Sequence, residues 1–274
     1  MNMNMKFQLF ALINRLLPQH FKVLLGESTI LRPLRNAYFR PSGLPACEGG
    51  IIEFEQLRFF FSAPYQMFIR AKEHGIENTI CRLILSNVPR GGVCIDVGAN
   101  FGFLTLIMSL AVGAEGQVIS FEPIPFIYRA LQTNVKANQL EAICHLHQAA
   151  VGCHPQQAVQ TTYLNQTYAP TVTDLDGIVS KHQLSRLDLV KIDVDGGDWD
   201  VLLGAQHTLR KFRPLLIVEM TTNHEKIFQT LVELGYTHIL DMKGQPITAS
   251  LWPPNLFAAM HPISIPARGM VFQA

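Results

Sequence analysis

Charge is scarce in this 274-residue chain: Asp, Glu, Lys and Arg make up 16% of it, against roughly 25% in an average soluble domain. Apolar residues account for 48%, which excludes a disordered polymer and requires a large buried core. An excess of either sign is also missing. Lys and Arg number 22 against 21 Asp and Glu, a net charge of +1, so the chain has no overall field for a phosphate backbone and nucleic acid is not an expected partner. The sequence contains no C-x-x-C pair. Cys47, Cys81, Cys94, Cys144 and Cys153 are scattered and odd in number, which argues against a disulfide framework or a zinc knuckle and points to a reducing cytoplasm. Long apolar runs are absent too: Phe7 to Ile13 follows Lys6 but is broken by Asn14 and Arg15 before it reaches signal-peptide or membrane-spanning length. With no route to secretion, the sequon at Asn165-Gln166-Thr167 is read as chance. Internal repeats and low-complexity tracts are lacking.

What is present is periodicity. Residues 1–88 read as an N-terminal extension: a helix with apolar positions Phe7, Phe10, Leu12, Ile13, Leu16 and Leu17, a stretch punctuated by Pro and Gly, two short strands between Ile51 and Phe61, and a helix from Glu77 to Val88. From residue 89 to 262 strands and helices alternate, the pattern of a parallel sheet covered on both faces. The expected strands are Val93–Val97, Gln117–Phe121, Ala142–Gln148, Leu187–Ile192 and Leu215–Glu219. The expected helices are Gly102–Val112, Phe126–Asn138, Leu175–His182, Trp199–Leu209 and His224–Leu234. An irregular stretch from Gly152 to Asp174 interrupts them, and Tyr236–Asp241 with Asn255–Met260 reads as an antiparallel closing pair. Thr222 and Glu225 have capping-box spacing, and Gly235 stands where a helix would end. Residues 263–274 are a tail.

In an open α/β sheet the ligand lies beyond the carboxyl ends of the strands, so residues there carry functional weight. The segment Asp96-Val97-Gly98-Ala99-Asn100-Phe101-Gly102 ends one strand and opens a helix, whose N-terminal amides can hold a carboxylate. The next strand ends in Phe121-Glu122-Pro123, where an acid can accept from both hydroxyls of a ribose. A dinucleotide fingerprint needs G-x-G-x-x-G, but Asn100 and Phe103 stand at its second and third glycines. Adenosine without a pyrophosphate fits better. Gln148, at the end of the third strand, is placed to meet an adenine edge. Lys191 and Asp193 share a strand face, as do His145 and His147; the histidines have no third partner at metal-site spacing, and no metal is expected.

Together these segments resemble the FkbM-type methyltransferases. The likeness rests on Asp96 to Gly102, Phe121-Glu122-Pro123, Ala149-Ala150-Val151-Gly152, Leu187 to Gly196, and Arg213-Pro214 leading to Val218-Glu219. The resemblance implies a Rossmann-like class I methyltransferase fold of the α/β class, mostly parallel with an antiparallel closing strand. It implies S-adenosyl-L-methionine as cofactor and in-line transfer to a hydroxyl, often on a sugar or secondary metabolite. The family usually has Asp-Val-Glu-Gly followed by a further Glu, whereas this chain has Asp195 and Asp198. Each is shorter by about 1.5 Å, one carbon–carbon bond, and a mismatch on that scale can cost about 100-fold where positioning governs the rate. Either the acceptor sits closer, or these acids are not the reacting ones.

The cofactor site is therefore expected at Asp96, Gly98, Asn100, Phe101, Gly102, Glu122 and Gln148. The catalytic candidates are Asp193 as leading base, Asp195 and Glu219, with His224 an alternative base and Asp198 the N-cap of the helix from Trp199. Acceptor contacts are expected between Cys153 and Thr173. The apolar N-terminal helix permits peripheral membrane contact or a subunit contact. The rival readings are a non-catalytic S-adenosylmethionine binder and a nicotinamide or nucleotide-sugar enzyme on a related sheet.

Overall fold

The computed structural model describes residues 47–155, 159–247 and 252–263; the expected helix at 7–17 lies outside them. The chain enters as a hairpin, β1 (Cys47–Phe54) and β2 (Leu57–Pro64), followed by α1 (Tyr65–His74) and α2 (Asn78–Asn87). Then come β3 (Val93–Val97), α3 (Phe103–Val112), β4 (Gln117–Phe121), α4 (Pro125–Ala137) and β5 (Cys144–His147). The stretch read as irregular holds four short strands, β6 (Ala150–Val151), β7 (Thr161–Tyr163), β8 (Gln166–Tyr168) and β9 (Val172–Thr173), and leads into α5 (Leu175–Lys181). After β10 (Leu189–Ile192) follow α6 (Asp198–Leu203), α7 (Gln206–Phe212), β11 (Leu215–Glu219), α8 (His224–Glu233), β12 (His238–Asp241) and β13 (Asn255–Ala259).

Seven strands form one sheet in the order β5-β4-β3-β10-β11-β13-β12. Every residue of β3 and β10 is buried, the signature of strands covered on both faces. Alternation divides their side chains: Cys94 and Leu189 face a core shared with α2, α3 and α4, whereas Ile95, Val97, Val190 and Ile192 face one shared with α5, α6 and α8. The chain leaves β3 toward β4 and β5, then returns to lay β10 against the other side of β3. The gap beyond the ends of β3 and β10 is thus the topological switch point, where a sheet of this kind binds its ligand. The expected closing pair is present, with one refinement: β13 is antiparallel to both β11 and β12, so the reversed strand lies one position in from the edge.

Local chemistry explains where the expected elements change. The single helix expected from Trp199 to Leu209 is two, α6 and α7, because Gly204 packs its backbone against that of Gly152 and the chain restarts. The new start is capped from a distance: the Asp176 carboxylate accepts from the N–H groups of His207 (3.0 Å) and Thr208 (2.7 Å). The capping box at Thr222 does not form. Asn223, left-handed at φ 55°, precedes α8 without a side-chain cap, and the Thr222 hydroxyl donates instead to the Gly196 carbonyl at 3.0 Å. Gly235 does end α8. At φ 88° it closes a Schellman motif in which its N–H donates to Val232 and that of Tyr236 donates to Leu231.

The hairpin is tied to α4 by two asparagines one turn apart. The Asn134 side chain accepts from the Ser62 N–H (2.7 Å) and donates to its carbonyl (2.8 Å), and Asn138 does the same at Phe60 (2.8 and 2.7 Å).

Candidate active site

The segment after β3 needs a backbone that few side chains tolerate. Gly98, Asn100 and Gly102 have φ of 79°, 53° and 87°. A Cβ on Gly98 would run into the Asp193 carbonyl, and one on Gly102 into Leu131. The loop uses its own amides. Gly98 and Ala99 donate to the Phe121 carbonyl at 3.0 and 2.8 Å, Asn100 to Glu122 Oε2 at 3.0 Å, Phe101 to Asn100 Oδ1 at 2.8 Å and Gly102 to the Ala99 carbonyl at 2.9 Å. The amides of Phe103, Leu104 and Thr105, at the N-terminus of α3, are left without a partner among the described residues. A carboxylate would dock there.

Glu122 is buried, yet not used up. Oε2 accepts from Asn100 N–H and Oε1 from Ile124 N–H (2.8 Å), one bond to each oxygen, so each keeps capacity for a ligand hydroxyl. Burial raises its pKa to about 7, against the pull of those two bonds and of Lys191. Gln148 follows β5 and is exposed. Phe101 is placed differently from the other loop residues. Its ring lies in the core, edge-on to Phe126 at 6.2 Å, and its carbonyl accepts from Asn134 Nδ2. Tyr163, within the stretch expected to meet the acceptor, packs against the core, and burial, with smaller contributions from Cys47 and Glu122, raises its pKa.

At the switch point a buried lysine gathers the acids. Lys191 pairs across the ladder with Asp96, and its Nζ donates to the Gly98 carbonyl at 2.8 Å, with Asp193 Oδ2 at 3.1 Å and Asp96 Oδ1 at 3.5 Å. Burial alone would discharge it, but Asp96, Asp193 and Glu77 together outweigh that and raise its pKa. Asp96 is fully buried. The Thr105 hydroxyl donates to its Oδ2 at 2.6 Å, and Oδ1 has no hydrogen-bond partner among the described residues. At the end of the adjacent strand β11 stands Glu219, near enough to feel the charge of Asp193, with its Oε2 buried and without a hydrogen-bond partner among the described residues. Burial, then the charge of Asp193, push Glu219 up to about 7.

The two shortened acids separate. Asp195 is exposed in a left-handed turn (φ 50°). Asp198 is not an N-cap: it lies inside α6, and its carboxylate reaches back to accept from the N–H groups of Val194 (3.0 Å) and Gly196 (3.2 Å). It shapes the turn that presents Asp193. His224 has Nε2 2.8 Å from the Met220 carbonyl and its ring stacked on Trp252 at 6.0 Å. His147 and His182 bring Nε2 atoms within 3.3 Å, with His145 behind, but among the described residues no three ligands converge as a metal site. Burial raises the pKa of Glu77, between α1 and α2, and the charges of Asp193 and Asp96 add to the rise against Lys191 and Arg70. In the sequence it marks only the start of a helix.

The strand order, the reversed β13, the glycine loop after β3 and the acid after β4 define a Rossmann-like class I methyltransferase. The methyltransferase FkbM domain matches residues 96–238, just over half of the chain, and the protein belongs to that family. Similar solved structures include methyltransferase FkbM from Methylobacillus flagellatus KT, at 16% identity over 61% of this chain and 43% of that one, TM-score 0.46. The match thus spans less than half of that protein's length. An S-adenosylmethionine-dependent O-methyltransferase from Thermotoga maritima shares 14% identity over 77% of each chain, TM-score 0.44. An O-methyltransferase from Bacillus cereus, solved with S-adenosylhomocysteine, shares 14% over 70% of this chain and 86% of that one, TM-score 0.44. No curated protein matches significantly. Among the described residues no helix is long and apolar enough to cross a membrane.

Proposed function

We propose that the protein transfers a methyl group from S-adenosylmethionine to a hydroxyl of a small molecule, a sugar or secondary metabolite. The observation that carries this reading is Asp193, held at the switch point by Lys191 with the raised carboxyl of Glu219 near it, in a chain of a methyltransferase family. The residues fit the cofactor. Glu122 has acceptor capacity for ribose hydroxyls, Gln148 is exposed at the end of the neighbouring strand β5 for an adenine edge, and the N-terminus of α3 offers amides for the amino-acid carboxylate. When bound, the cofactor supplies an electrophilic methyl on a sulfonium, displaced in line with the thioether leaving.

An alcohol is a weak nucleophile and must lose its proton as the new bond forms. The acid pair takes it. A carboxyl titrating at about 7 is strong enough as a base and still substantially ionised at working pH. Asp193, fixed by Lys191 and by the Asp198-ordered turn, orients the pair, and Glu219 provides the basicity.

The test is transfer of labelled methyl from S-adenosylmethionine to a panel of sugars and hydroxylated metabolites. Asp193→Asn is expected to lower kcat by about 100-fold or more while cofactor binding persists. A variant retaining full rate would remove the base, and a wild type that binds the cofactor but methylates no alcohol would leave a binder of the same fold.

A further inference from the structure

Asn134, on α4, is fully buried and uses its whole amide. Oδ1 accepts from the Ser62 N–H at 2.7 Å, and the two Nδ2 hydrogens go to the carbonyls of Ser62 and Phe101, both at 2.8 Å. One side chain thus joins the hairpin to the cofactor loop. The hairpin is a two-stranded sheet of its own and lies outside the matched family residues 96–238. It touches the end of the loop a second time, where Phe59 and Phe61 pack edge-on to Phe103, the first residue of α3, at 5.6 and 5.1 Å.

The Phe101 carbonyl has a consequence for a ligand. Carried one residue further back, the i to i+4 ladder of α3 would give it the Thr105 N–H. Asn134 takes it instead. The ladder begins with Leu106 donating to Gly102 at 2.9 Å, and the Thr105 N–H joins those of Phe103 and Leu104 without a partner among the described residues. A bond from outside the loop therefore sets how many amides α3 presents. It also fixes the plane of the Phe101–Gly102 peptide, from which the helix starts. Asn138, one turn on, makes the same clamp at Phe60 but gives its other hydrogen to the Asn134 carbonyl, not to the loop.

We infer that Asn134 is a positioning residue for the amino-acid end of the cofactor: it turns the Phe101 carbonyl away from α3 so that three amides stay open to the carboxylate, and through it the hairpin sets the strength of that subsite. This rests on the cofactor reading above. Asn134 makes no bond to Glu122 or Gln148 among the described residues, so the adenosine end should not feel its loss.

The experiment is calorimetry on the full chain with two ligands, S-adenosylhomocysteine and 5′-methylthioadenosine, which keeps the adenosine and the sulfur but has no amino-acid carboxylate. Asn134→Ala is expected to weaken S-adenosylhomocysteine about 10- to 100-fold, the range for a hydrogen bond to a charged group, and methylthioadenosine no more than about twofold. A loss of general stability would weaken both. Asn138→Ala, which gives up the same hold on the hairpin, should leave both affinities within about twofold of the wild type. Asn134→Ser, a milder change that keeps one donor, should fall between the wild type and Asn134→Ala. Should neither Asn134 variant fold, the wild type decides by nuclear magnetic resonance: the amide protons of Phe103, Leu104 and Thr105 should shift downfield with S-adenosylhomocysteine and stay in place with methylthioadenosine. Equal losses for the two ligands, no loss for either, the same split in Asn138→Ala, or amide protons that do not respond would overturn the assignment while leaving the cofactor in place. A wild type that does not bind S-adenosylhomocysteine would overturn the cofactor reading, and the assignment with it.

Discussion

Glu122 links cofactor binding to pH in a way that can be worked through. Free, it titrates at about 7 because burial disfavours its charge. Ribose hydroxyls donate, so they bind the ionised form. At pH 6 about one-tenth of the population is ionised and at pH 8 about nine-tenths, so affinity for S-adenosylhomocysteine should rise about tenfold across that span. Near pH 7 about half a proton should be released per cofactor bound, measurable by calorimetry in two buffers of different ionisation enthalpy. The unliganded protein should run the other way. A carboxyl whose folded pKa is raised contributes stability that is full below its ordinary value near 4.5 and is lost as pH rises through about 7. Rising pH thus loosens the free protein while tightening its complex. Glu219 also titrates near 7, so Glu122→Gln is the control: it should bind weakly with the pH slope flattened. A wild-type affinity unchanged from pH 6 to 8, or a slope that survives Glu122→Gln, would refute the reasoning.

Three further expectations follow from the same geometry. Lys191→Met strands the fully buried Asp96 without its counter-ion and should cost about 3–5 kcal/mol in denaturant titration, most of it recovered by adding Asp96→Asn. Gly98→Ala sets a Cβ against the Asp193 carbonyl on a left-handed backbone; it should cost at least about 1–2 kcal/mol and abolish detectable cofactor binding, and an unaffected variant would show that the loop can move. His147 and His182 have pKa values lowered by burial and by their cationic neighbours. Their stabilising effect is full above about 6.5 and fades below it, so Tm should fall between pH 7 and 5.5, and His182→Gln should shrink that fall.

The central sheet was legible because burial on both faces leaves runs such as Val93–Val97 and Leu189–Ile192 that hardly admit another reading. The glycine loop and Glu122 were legible for a different reason: close backbone approach and a strand-end acid leave residue types at fixed places. What stayed hidden depends on contacts distant in sequence. Nothing near Gly204 announces that it meets Gly152, or that Asp176 will cap the helix after it. Asp198 looked like a cap because Asp commonly is one, yet the free amides of Val194 and Gly196 lay closer.

The asparagines of α4 have a consequence for solubility. On the side of β2 away from β1, the backbone groups of Phe60 and Ser62 would be open to any passing extended chain, but Asn138 and Asn134 occupy them as a neighbouring strand would. A helix thereby acts as a false strand and closes a sheet edge that could otherwise recruit a second molecule into aggregation. Asn134 also holds the Phe101 carbonyl, so the guard on that edge and the shape of the cofactor loop depend on one side chain.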